Sequence, residues 1–533
     1  MPSMELVRFT DVAVEVGLDV PRSAFRWDVG PDPMAMMAGG LCWIDYDRDG
    51  WLDLFVTDTW SDGEWGEWRA QGSIPTSRLF RNDAGRFTDV TDETGAGVEN
   101  RSNGCVAADL DRDGWTDLYV TTERDNVLLW NDHGDGFLDD ADLEVPSGAS
   151  TYGWHAGAAV GDVDGNGWPD LFVSGYADLN HPNTETTKPG FPNPFVAERD
   201  VLLLNGGPNG GARVEFRDVA SAVGIEPDGA AYGLGAVLDD LDLDGDLDLY
   251  VANDTMPNQL YEHVSDESAP GFRFLERGIE AGVGDEGAGM GVSAGDVDGD
   301  GLPDLVTTNQ LTEHHVLARN TTVDTLTFAD AAAAAGVPDI GVGQTGWGVS
   351  WGDVDLDGDL DLVVANGAVP VTDVDADREP LVLLENRLDD DGATLVDVSA
   401  PVGLAELGPH VGRGLAMADF DNDGDLDVAV ATIGGPPALL RNSGAGGNWL
   451  EIAFPTPVPG TSVTARLADG TVVRRQLVAG SSYLSSEDPR VHLGLGANDV
   501  VAELLIVFPD GAERRLTDVS GGQVLEIDPE DAG

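Results

Sequence analysis

One nine-residue pattern, D-x-D-x-[DN]-G-x-x-D, governs what this chain can fold into. It starts at Asp45, Asp109, Asp162, Asp240, Asp296, Asp353 and Asp419, with start-to-start spacings of 64, 53, 78, 56, 57 and 66 residues. A unit recurring at this length is one supersecondary element of a propeller or array. Its flanks recur as well. A Gly/Ala-rich apolar stretch precedes each copy (GLGAVLDD, GMGVSAGD, GWGVSWGD, GRGLAMAD), and a short β-type run follows it (LFVT, LYVT, LFVS, LYVA). A second apolar run ending in Asn comes next in six units, and several units finish on a segment such as GRFTDVTDETGAGV or EFRDVASAVGI.

Each unit therefore reads as four short strands, one blade, with the acidic loop joining the first strand to the second. The expected fold is all-β: a seven-bladed β-propeller over residues 1–445, followed by a small β domain over 446–530. Residues 8–18, RFTDVAVEVGL, match the fourth segment of a blade although no blade precedes them, while the seventh unit lacks that segment. They are expected to supply the outer strand of blade seven, closing the ring and removing an open sheet edge.

Carboxylates this crowded repel one another and hold on to protons, so the loops demand a counter-ion. Positions 1, 3, 5 and 9 carry oxygen side chains, Gly at position 6 allows the sharp turn, and the backbone carbonyl of position 7 can join the ligands. The candidate metal residues, written by loop in the order 1, 3, 5, 7, 9, are these. Loop one has Asp45, Asp47, Asp49, Trp51 and Asp53; loop two has Asp109, Asp111, Asp113, Trp115 and Asp117. Loop three has Asp162, Asp164, Asn166, Trp168 and Asp170, one charge fewer and so weaker. Loop four has Asp240, Asp242, Asp244, Asp246 and Asp248; loop five has Asp296, Asp298, Asp300, Leu302 and Asp304. Loop six has Asp353, Asp355, Asp357, Asp359 and Asp361; loop seven has Asp419, Asp421, Asp423, Asp425 and Asp427. The side chains of Asp246, Asp359 and Asp425 are read as solvated extras. All-oxygen sets without His or Cys suit Ca²⁺, up to seven ions, over Zn²⁺ or copper, and Mg²⁺ resists the dehydration required. The loop is not an EF-hand, because Glu at position 12 is missing.

The seven loops with their flanks resemble FG-GAP/VCBS-type repeats, the calcium-loop propeller blades also found in integrin α-subunits. The tail, GSSYLSSEDPRVHLGLG at 480–496 with FPDG at 508–511, resembles the ASPIC/UnbV domain that follows such a propeller in the cartilage acidic protein family. The resemblance implies calcium binding and an extracellular or cell-envelope setting. Two departures stand out: the stretch after Trp449-Leu450 is short, and MPSMELVRFTDV has no export signal, which leaves a cytoplasmic setting open. Within the tail, Asp488-Pro489-Arg490 is expected to be a turn fixed by an Arg490–carboxylate pair, and His492 to be structural.

The formal charge of −69, from 97 acidic against 28 basic residues, argues against nucleic acid or anionic membrane as partner. No apolar run approaches the length of a membrane span. Cys42 and Cys105 are expected to be two small buried residues rather than a bridge. In a propeller the acidic loops share one face, and the connections between second and third strands open on the other. There the long insertions Asp58–Ser77, Gly175–Arg199 and Ala365–Pro380 lie. Trp60, Trp65 and Trp68 in the first are candidate platforms for a protein or carbohydrate ligand. Tyr152, Trp154, His155, Gln344, Trp347, His410 and Arg413 are expected at the channel mouth, where converging polar groups mark a default ligand site. Two readings lead, beside a third in which the chain is a structural module whose acidity reflects a salty habitat. The first is a calcium-stabilised interaction or adhesion-type protein that binds on the face opposite the loops and has no catalytic residues. The alternative is a tailoring or cyclising enzyme of secondary metabolism, with His155, His410 and Arg413 as candidate catalytic residues.

Overall fold

The computed structural model describes residues 4–528 apart from 5, 28, 185, 187, 228, 269, 389–391 and 445. Seven four-stranded antiparallel sheets occupy residues 10–441. Blade one is Leu41–Ile44, Asp53–Val56, Arg78–Asn82 and Phe87–Asp89, joined in sequence order. The inner strands of the other six are Ser102–Ala108, His155–Gly161, Gly233–Asp239, Val292–Gly295, Gly346–Gly352 and Gly412–Ala418. Each inner strand touches that of the next blade, and Gly412–Ala418 touches Leu41–Ile44, so the ring is closed: a β-propeller. The outer strand of the seventh sheet is Thr10–Asp11, with Thr10 opposite Arg441 and Asp11 opposite Leu440.

Small residues fill the inner strands because strands and chain from other parts of the molecule approach them closely. A Cβ on Gly157 would lie 2.3 Å from the Leu234 carbonyl oxygen, and one on Gly235 would lie 2.4 Å from that of Met290. Both are far inside van der Waals contact.

Two repeated hydrogen bonds bolt blade to blade. At the end of the second strand, a hydroxyl donates to a carbonyl of the next inner strand: Thr57 to Asn103 (2.9 Å), Thr121 to Ala156 (2.6 Å), Ser174 to Leu234 (2.8 Å) and Thr308 to Trp347 (2.8 Å). At the other end, the Asn closing the third strand donates its side-chain amide back to position 2 of the preceding loop. Asn131 reaches Tyr46, Asn205 reaches Leu110, Asn320 reaches Leu241, Asn386 reaches Val297, Asn442 reaches Val354 and Asn82 reaches Phe420, all at 2.7–2.9 Å. These amides are buried, so each bond satisfies a carbonyl that water does not reach. Cys42 and Cys105 form a disulfide between the inner strands of blades one and two, which corrects the expectation of two separate thiols. Register places both side chains on facing sides of the same seam, a relation that two isolated cysteines in sequence do not reveal.

The tail holds two sheets. Asn448–Ala453 lies between Val491–Gly496 (antiparallel) and Gln523–Glu526 (parallel). The second sheet runs Val472–Gln476, Ser462–Leu467, Val500–Val507 and Glu513–Ser520. Leu450, Ile452, Val463, Leu493, Leu504 and Ile506 pack between the sheets. Between Gln476 and Val491 the chain leaves this core and enters the propeller channel. It bridges Val160 through Ala479, Val292 through Ser482 and Cys42 through Ser486. From the opposite side Met34, Met36 and Met37 of a short helix, Pro33–Met37, close the channel.

Candidate metal centres and the two faces of the ring

All seven acidic loops fold the same way. The position-1 carboxylate accepts from the amide of Gly at position 6 at 2.8–3.2 Å. The position-5 side chain accepts from the amide of position 7 at 2.7–3.0 Å. The position-9 carboxylate, at the start of the second strand, accepts from position 2 at 2.9–3.3 Å and from a backbone amide at or near the end of the third strand at 2.7–2.9 Å. Gly at position 6 has φ of 86–105° throughout, the left-handed region that glycine enters without steric cost. Position 4 is left-handed too, and in Arg48, Arg112, Leu243, Leu356 and Asn422 it is not glycine. No residue preference at that position marks it in the sequence.

These bonds curl the carboxylates around a common point. In the first three loops the carboxylates of positions 1, 3 and 9 lie within 4.8 Å of one another, and in loops four and five those of positions 1, 3 and 5 do. The residues fit a hard cation on a specific ground: buried carboxylate oxygens on Asp47, Asp240, Asp296, Asp298, Asp355 and Asp421 have no hydrogen-bond partner in the protein. An unpaired buried carboxylate is costly, and a shared divalent ion is the simplest way to satisfy several at once. Burial, together with neighbouring carboxylates, pushes Asp45 and Asp240 up to about 6 and Asp109 and Asp419 up to about 7. Asp53 is raised to about 9 and Asp304 to about 8, with burial the main cause.

The tail sits on this loop face. Arg475 donates to the Gly358 carbonyl (3.0 Å), Arg490 to that of Asp419 (2.7 Å) and Arg48 to that of Pro455 (2.9 Å). Nε2 of His492, neutral because burial lowers it to about 4, pairs with the Gly424 carbonyl at 2.9 Å. Arg490 also grips Asp488 through two bonds (2.9 and 2.7 Å) and pairs with the fully buried Glu451 at 3.0 Å.

The opposite face differs from expectation at several residues. Trp154 is buried against Tyr176 and Phe191. Trp347 is 1% exposed, donates to the Gly367 carbonyl and stacks under the Arg413 guanidinium at 3.9 Å. Trp68 is buried against Trp27. These three are packing residues, not platforms: the filled channel covers Trp154 and Trp347, and Trp27 covers Trp68. The same filling removes two of the three catalytic candidates. His155 is 1% exposed and held neutral by burial, which lowers it to about 4. Arg413 has no exposed surface and donates to the carbonyls of Met36, Gly367, Gly412 and Ala368. His410 is half-buried at the rim, pairing through its backbone with Glu379.

Tyr152 is exposed, whereas Trp60 is itself buried, against expectation, and shows only an edge beside the half-exposed Trp65, on which it stacks at 5.2 Å. Those two tryptophans wall a groove of about 600 Å³ with Ile74, Asn100, Glu123 and Arg124. Arg101 forms its floor, tied to Asp32 and Glu123.

Comparison with known proteins agrees with this architecture. The FG-GAP-like repeat model matches residues 45–120, 109–173 and 240–307, and the ASPIC and UnbV model matches 455–533. Cartilage acidic protein 1 of Homo sapiens is 25% identical over 450 residues, covering 80% of this chain and 62% of the relative. The Mus musculus protein is also 25% identical, with 80% and 64% covered. The chain thus spans less than two-thirds of the length of the curated relatives it matches. Among solved structures, an Agrocybe aegerita lectin recognising non-reducing terminal N-acetylglucosamine aligns at 14% identity and a TM-score of 0.36, over 68% of this chain and 80% of its own. That likeness is too low to bear on function. Closed ring, repeated acidic loops and threaded tail agree with these matches: the chain carries FG-GAP-like repeats and an ASPIC and UnbV domain, and it is homologous to Cartilage acidic protein 1 at 25% identity over 80% of its length.

Proposed function

We propose that the protein is a calcium-stabilised interaction protein of the adhesion type, extracellular or in the cell envelope, which binds a protein or carbohydrate partner on the face opposite the acidic loops. The observation that carries the calcium part is the set of partnerless buried carboxylate oxygens in the loops. Ca²⁺ would be held by positions 1, 3, 5 and 9 with the position-7 carbonyl, neutralising the clustered charge. The loop residues orient those oxygens beforehand through the repeated amide bonds, so metal free energy appears as folding free energy. The buried disulfide supports an oxidising setting. No helix among the described residues is long and apolar enough to cross a membrane.

Two observations favour the insertion face. The tail occupies the loop face, and the groove beside Trp60 and Trp65 offers an aromatic wall next to polar groups that suit sugar hydroxyls or a peptide. Calcium titration of chelator-stripped protein, followed by thermal denaturation, tests the first part; a transition indifferent to calcium overturns it. For the second, a glycan and peptide array probed with the wild type and with Trp65→Ala should show binding that the substitution removes. Undiminished binding by the variant places the partner elsewhere.

A further inference from the structure

The fourth blade breaks a rule that the other six keep. In those six, the third-strand residue whose amide bonds the position-9 carboxylate is Asn, which crosses the seam to the preceding loop; here it is His263, and the strand runs on to Ser265. Its backbone amide still bonds Asp248 at 2.9 Å. Its ring bonds to nothing across the seam: neither nitrogen has a hydrogen-bond partner, although the side chain is 6% exposed. Phe272, stacked on it at 4.7 Å, and Phe274, edge-on at 5.6 Å, fix the ring plane. Nδ1 faces Oδ2 of Asp246 at 3.3 Å. Both residues line a cleft of about 330 Å³ between the loops of blades three and four and the tail. Asp162 and Asp164 lie along it, as does Gln476, whose buried amide nitrogen is also without a partner.

We propose that His263 and the Asp246 carboxylate form a binding site for a borderline divalent cation of the Zn²⁺ type, distinct from the calcium loops. An imidazole nitrogen brings in the softer metals that all-oxygen loops disfavour. Two ligand atoms on a tetrahedral Zn²⁺, each about 2.0–2.1 Å from the metal, lie about 3.3 Å apart, the separation found here. The Asp246 side chain is free for this role because the calcium reading uses only its carbonyl. Water entering the cleft completes the coordination shell.

The test uses the full chain with Co²⁺ as probe, in millimolar Ca²⁺ to fill the loops. Wild type should bind Co²⁺ with the intense visible absorption of a low-symmetry site. His263→Asn, which restores the residue of the other six blades, should lose one equivalent of Co²⁺ and of competing Zn²⁺, with Ca²⁺ stoichiometry unchanged. Asp246→Asn, which keeps the position-7 carbonyl, should lose the same equivalent. Equal Co²⁺ binding by wild type and both variants overturns the proposal, as does a wild type that binds none. Joint loss of Ca²⁺ and Co²⁺ in both variants also overturns it, since His263 and Asp246 would then serve the calcium loop itself. Calcium is counted separately throughout, so failure of the calcium reading is distinguishable.

Discussion

The Tyr483 hydroxyl donates to the Met37 carbonyl at 3.0 Å, joining chain positions 446 residues apart at the centre of the ring. Tyr483 enters the channel from the loop face with the tail, and Met37 enters from the insertion face. Trp347 packs edge-on against Tyr483 at 4.9 Å, and Arg413 stacks on the same indole. The channel is thus a core assembled from both ends of the chain. Tyr483→Phe keeps the packing and leaves one buried carbonyl unpaired, so it should cost about 1–3 kcal/mol in urea unfolding. Tyr483→Ala should cost about 3–5 kcal/mol, because it opens a cavity among rigid neighbours.

Chelation should lower the melting temperature, with recovery on adding Ca²⁺ but not Mg²⁺. Each loop at a hundred-fold excess over its dissociation constant contributes about 2.7 kcal/mol. Asp355→Asn and Asp421→Asn, at positions with partnerless oxygens, should each remove or weaken one calcium equivalent in isothermal titration. Since Arg475 and Arg490 hold the tail to loops six and seven, these variants should also raise protease sensitivity within residues 448–528.

The blade seams can be tested one bond at a time. Asn131→Ala leaves the buried carbonyls of Tyr46 and Thr116 without the donor they share. A loss of about 2–4 kcal/mol is expected, from two orphaned acceptors at about 1–2 kcal/mol each. An exposed substitution such as Asp324→Ala, measured alongside, should change stability by less than about 0.5 kcal/mol.

Reduction of the Cys42–Cys105 bond, or the double Ala variant, should destabilise the protein by roughly 2–4 kcal/mol, because the bond closes a long loop in the unfolded chain. The sequence separation of 63 residues places it among such loops. The ring's hydrogen bonds do not depend on the bridge, so far-UV circular dichroism of the variant should match wild type at low temperature.

His155 gives a pH dependence whose sign is fixed by burial. Its folded-state value, lowered to about 4, lies below the unfolded one near 6.5. Its contribution is therefore complete above about pH 6.5 and declines as pH falls toward 4, by up to about 3 kcal/mol. His155→Gln should be less stable than wild type at pH 7.5, and the gap should shrink by pH 5 when unfolding is measured in saturating Ca²⁺.

The sequence by itself determined the acidic loops and the blades they begin. D-x-D-x-[DN]-G-x-x-D encodes a local turn: Asp45 meets Gly50 and Asp49 meets Trp51 within one loop, and local geometry follows from spacing alone. The same is true of the Arg490–Asp488 clasp, two residues apart. The Asn at the end of six third strands was visible too, but its role was not, because its acceptor lies in another blade. Only the tertiary structure decided which tryptophans are surface and which are core, that the two cysteines meet, and that the channel is filled. Trp347 and Trp65 are indistinguishable as residues. What separates them is Tyr483, which reaches the first through a segment more than a hundred residues away and never approaches the second. Burial of that kind depends on where distant parts of the chain return, and no local pattern of residues records it.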